Sequence, residues 1–160
     1  MKSKTRKKAK SSKRQEVTYC IEVEKWEMPY SFSIPPRKDI VEGPFWEHAA
    51  LRITGKLLHP EKLVGKDIKV YIIMDRRYTT VLESPQKFSQ EPELIGTLTI
   101  RGAHREYLGS LPFDAMQTIC LLLQGGNIKY VILGGPSLYR GSSEIRSINF
   151  DKVYNPEDWM

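Results

Sequence analysis

Cysteine and histidine are scarce in this chain of 160 residues, which has two of the first and three of the second. Cys20 and Cys120 lie far apart, with no C-x-x-C spacing and with apolar neighbours. They therefore predict two reduced, buried thiols rather than a disulfide or a reactive site. His48, His59 and His104 are separated from one another and match no zinc spacing. No nucleophile elbow or phosphate loop accompanies them. No catalytic residue, metal ligand or cofactor contact is assigned on this basis.

Long apolar runs are missing too. None reaches the ~20 residues that a membrane helix needs, and nothing after the basic start resembles a signal-peptide core. The expectation is a chain without a membrane span, in the reducing cytoplasm.

A third absence is local, because residues 1–14 contain no acidic side chain. They hold Lys2, Lys4, Arg6, Lys7, Lys8, Lys10, Lys13 and Arg14 instead, with no large apolar residue after Met1. Such a segment cannot offset its ordering entropy, so residues 1–15 are expected to form a disordered basic arm. Removing these eight cations from the total of 25 leaves fewer than the 19 acidic side chains. The high isoelectric point therefore belongs to the arm, and the body is faintly acidic.

What remains, 16–160, reads as a single β-rich domain: a β-sandwich or barrel-like body of hairpins with one short helix, all-β or β-rich α+β. Val17, Tyr19, Ile21 and Val23 alternate with polar neighbours as in a first strand, and Cys20 falls on its opposite face. Residues 49–74 read as strand, turn and strand. Leu51, Ile53 and Leu57 share a face in the first half, and Ile68, Val70, Ile72 and Met74 share one in the second. Gly55 interrupts the first strand and marks a bulge or a close backbone approach. A looser copy of the pattern returns over 129–150. Residues 111–126 predict the helix, about 113–124, with Asp114 as cap, Gln117 three residues on, and Gly125 as the left-handed exit. Met116, Ile119, Cys120 and Leu123 form its inward stripe, widened by Ala115 and Leu122. The polar interval 75–93 predicts an extended loop or a short hairpin through 78–82.

Three groups invite a functional reading. Arg76 and Arg77 present planar donor forks to a phosphate or carboxylate ligand. Trp26, Tyr30, Phe32, Phe45 and Trp46 suit either a core cluster or a platform for a sugar or base, and core is the expectation. Glu47, His48, His104 and Glu106 are the raw material for a site assembled from scattered side chains, although an exposed turn accounts for the last two. The leading expectation is a non-enzymatic binding module for a protein partner, whose arm gives non-specific polyanion contact. The alternatives are a nucleic-acid- or ribosome-associated protein whose arm supplies most of the affinity, and an enzyme using the scattered His and Glu residues.

Overall fold

The computed structural model describes residues 13–34, 45–83 and 92–159. Its centre is a nearly closed, barrel-like sheet of nine strands. In chain order these are β1 (Glu16–Glu27), β2 (Tyr30–Ser33), β3 (Trp46–His59), β4 (Asp67–Met74), β5 (Gly96–Arg101), β6 (His104–Leu111), β7 (Tyr130–Pro136), β8 (Ser142–Ile145) and β9 (Ser147–Asp151). Their lateral order is β8-β5-β6-β4-β3-β1-β7-β9, with β2 added beside β3. Every pairing is antiparallel except β4 with β6. The parallel pair requires a crossover, and the chain from β4 to β6 supplies it through helix α1 (Arg76–Glu83) and β5.

The interior follows from the period-two pattern. Leu51, Ile53 and Leu57 of β3, and Ile68, Val70 and Ile72 of β4, are buried in one cluster with Tyr19, Ile21, Leu98, Tyr107, Val131, Leu133 and Ile145. Arg52, Thr54 and Lys69 face outward between them. The expected close approach at Gly55 is present. A Cβ there would run into the Glu22 carbonyl of β1, and the β1/β3 register shifts just beyond, between Val23 and Lys25.

The copied pattern at 129–150 builds something other than a second hairpin. β7 and β9 pair with each other, whereas β8 leaves to pair with β5. Only Arg146 separates β8 from β9, so one near-continuous stretch joins both ends of the sheet and nearly closes it. The turn glycines of the two copies do correspond, with φ of +82° at Gly65 and +77° at Gly141.

Helix α2 (Phe113–Gln124) occupies the span predicted for it, and Met116, Ile119 and Leu123 join the core. Its ends differ in detail from the sequence reading. Pro112 stands at the N-cap and Asp114 sits in the first turn without capping. The left-handed residue after the helix is Gly126, at φ +70°, while Gly125 takes φ −79°. Leu122 is exposed rather than part of the stripe. The larger correction is α1, because residues 76–83 are helical where a loop or hairpin was expected.

Both thiols are free, with Cys20 buried and Cys120 partly so. Cys20 lies beside Ile132 on the outer face. Burial, and secondarily the Glu22 carboxylate, push its thiol up to about 12. Among the described residues no helix is long and apolar enough to cross a membrane.

Candidate interaction surface and arm root

β3 is longer than its neighbours, and the excess builds the main surface feature. Its pairing with β4 begins at Ala50, so residues 46–49 have only β2 beside them, in the register Tyr30↔Ala49 to Ser33↔Trp46. Residues directly opposite in an antiparallel pair share a face. Tyr30 and Phe32 therefore lie with Glu47 and Ala49, on the side that continues the inward face of Leu51 and Ile53. Trp46 and His48 take the reverse side, their rings 6.2 Å apart.

On the first side Phe32 and Phe45 stack at 5.3 Å between ring centroids. They are 60% and 55% exposed, and Ile34 beside them is 77% exposed. The aromatic cluster expected to be core is thus divided. Trp26 packs against the barrel interior, while Tyr30, Phe32, Phe45 and Trp46 are exposed on the ribbon. Sequence periodicity could not separate these outcomes, because nothing in it tells how far β3 outruns β4.

A small polar network ties the ribbon to the helices. The Tyr30 hydroxyl donates to Glu47 Oε2 at 2.6 Å, and Arg76 Nε donates to Glu47 Oε1 at 3.0 Å. The Arg76 guanidinium also lies over the Phe113 ring, 4.9 Å from its centroid, so it links β3, α1 and α2. The Tyr30 hydroxyl, followed by the arginine, holds the Glu47 carboxyl below its ordinary range. Arg77 turns instead to Asp75, its Nη2 lying 2.7 Å from Oδ2. The two arginines singled out as ligand contacts thus both engage carboxylates of the chain itself, with their side chains 64% and 89% exposed.

The scattered His and Glu residues are not brought together. Glu47 and His48 occupy opposite faces of the ribbon. His104 and Glu106 meet at 3.7 Å on the exposed β5/β6 hairpin. Glu106 is level with Lys69 and, through it, with Thr54, which is seven residues or roughly 23 Å along β3 from Glu47. No group of three or more metal-ligating side chains occurs among the described residues.

At the other end of β1 the chain carries the root of the basic arm. Lys2, Lys4, Arg6, Lys7, Lys8 and Lys10 lie outside the described residues. Lys13 is exposed, but Arg14 is engaged with the body. Its Nη1 donates to the Ser137 carbonyl at 3.0 Å and its Nη2 pairs with the Glu144 carboxylate. Arg146 reaches Glu16 at 3.0 Å nearby. These arginines border an open cavity of about 700 Å³, whose wall includes Pro92, Glu93, Leu94 and Ile95. Sequence reasoning counted Arg14 with the arm and missed that it pins the arm to the closing strand.

Compared with known proteins, the chain matches no family model, and no curated protein or solved structure gives a significant match.

Proposed function

We propose that this protein is a non-catalytic binding module with two separate points of contact: a cationic arm for polyanions and an aromatic ribbon for a protein partner. The observation that carries the reading is the ribbon itself. Large apolar side chains stay exposed on a two-stranded projection, and a contiguous apolar patch of that kind marks an interaction site more often than a casual surface. The arm leaves from the start of β1 and the ribbon begins past its end. The twelve residues between them span roughly 36 Å, so one contact need not obstruct the other. A nucleic-acid or ribosomal client is the second reading, favoured by the run of arm cations. On the outer face of β1, Glu16, Glu24 and Glu27 are already paired with Arg146, Lys56 and Arg52, so those three cations are committed within the body rather than offered to a phosphate backbone.

The test is binding to heparin and to a single-stranded RNA across a salt series, with the whole chain and with residues 1–12 deleted. The whole chain should bind with a steep logarithmic salt slope, about 0.7 to 0.9 per phosphate neutralised. The deleted form, which keeps Arg14 on Glu144, should lose that binding. Salt-insensitive RNA binding by the deleted form would favour the nucleic-acid reading and displace this one.

A further inference from the structure

We infer that the partner of the aromatic ribbon is a second copy of this chain, joined edge to edge through β2 about a two-fold axis. This deepens the reading of the ribbon as a contact surface and rests on it.

The ribbon has two edges, and they differ. On the β3 side, Glu47 is tied to Arg76 at the start of α1. On the other side β2 pairs with no strand but β3 among the described residues. Folded proteins usually guard such an edge with lysine, proline or an inward charge. Here Tyr30–Ser33 reads Tyr-Ser-Phe-Ser, with all four residues exposed and none charged.

Electrostatics and symmetry favour a second copy as the occupant. An isologous contact sets each group close to its own image, which is repulsive wherever the patch carries net charge. Among the described residues of the ribbon, the one carboxylate on this face, Glu47, is already matched by Arg76 and the Tyr30 hydroxyl. The root of the cationic arm, Lys13 and Arg14, is at the far end of β1, away from the axis. Two identical strands that pair antiparallel are themselves two-fold symmetric. With Ser31 opposite Ser31 of the second copy, each Tyr30 stands across from a Phe32 on the same face. Cross-strand aromatic pairs of this kind are stabilising. The Phe32/Phe45 stacks of the two copies then flank them in one continuous aromatic row.

Tyr30, Phe32, Ile34 and Phe45 together leave on the order of 400 Å² uncovered, within the range of a monomer's largest apolar patch. Pairing through β2 covers the strand backbone and the flanks of Tyr30 and Phe32 rather than the whole patch, so the contact falls short of the roughly 1,000 Å² of stable interfaces and the dimer is a weak, concentration-dependent one. The resulting dimer places the two arm roots at opposite ends of a four-stranded bridge, so a long polyanion can engage both chains.

Sedimentation equilibrium of the full chain, from ~1 to ~200 μM, reads the outcome directly. The expected result is a mass twice the 18.5 kDa of the chain, falling toward one chain on dilution. Ser31→Lys, which puts like charges at the axis, should raise the dissociation constant at least about tenfold. Leu121→Lys, on the exposed face of α2, should leave it unchanged. Ser31→Cys gives an independent readout, a disulfide-linked dimer on mild oxidation that the wild type does not form. A chain of single mass throughout, or a dimer that survives Ser31→Lys and yields no Ser31→Cys cross-link, overturns the inference. Heparin binding that persists in such a monomer would leave the arm's role standing while removing the symmetric partner.

Discussion

Gly55 and Gly65 show how differently one residue type is used within a single hairpin. Gly55 is constrained by space, because a methyl group there would enter the Glu22 carbonyl across the strand pair. Gly65 is constrained by conformation, at φ +82° with open space around it. Gly65→Ala should therefore cost about 1 kcal/mol, the usual penalty of a left-handed alanine. Gly55→Ala should cost at least about 3 kcal/mol, since backbone must move. Urea unfolding of the two variants measures the contrast, and equal losses would refute it. The role of Gly55 was legible in the sequence as a break in an alternating strand. The roles of Gly96 and Gly109 were not. They face each other across β5 and β6 and leave room for the Tyr107 ring, a fit that exists only once the register is set. Cys20 carries a second residue-level prediction. With its thiol buried and pushed up to about 12, it should resist a thiol reagent at pH 8 until the protein is unfolded. Cys120, which is partly exposed, should be modified in the native state. Mass spectrometry of the labelled peptides distinguishes the two.

At the level of elements, α2 was readable and α1 was not, for the same physical reason. Helical periodicity needs several turns to rise above chance. α2 offers twelve residues with Met116, Ile119 and Leu123 on one stripe, whereas α1 offers eight, with adjacent threonines that favour strands. Leu123 tests the stripe. Leu123→Asp buries a carboxylate in the cluster shared with Met116 and Ile119 and should destabilise the fold by at least about 3 kcal/mol, measured by chemical denaturation. Leu121→Asp, on the exposed face, should change it by less than about 0.5 kcal/mol. The ribbon is an intermediate case. Its strands were anticipated as an aromatic stretch broken by Pro29, but its exposure depends on β3 outlasting β4 at Ala50, a fact about neighbours rather than about the ribbon.

For the whole molecule, four paired carboxylates are shifted in the same direction. Glu47 is depressed by the Tyr30 hydroxyl and Arg76, and Asp67 by Lys56. Asp75 is depressed by Arg77, and Glu144 by its own backbone amide and then Arg14. A carboxyl whose folded pKa lies below its unfolded value contributes stability that is complete above the unfolded value. That contribution is lost as pH falls through the folded one. The melting temperature should therefore hold from neutral pH down to about 4.5, the ordinary glutamate value, and decline below it. A decline that is complete before pH 5 would refute this assignment to the carboxylates.

The stretch that unites β8 and β9 has a further consequence, in the order of synthesis. Translation delivers β5 and β7 before the piece that bridges them. A nascent chain extended through residue 141 carries two bare sheet margins and an unsealed interior, and only the next ten residues complete the circuit. Sealing therefore waits for β8 and β9, and until they arrive both margins stay open to a pairing strand.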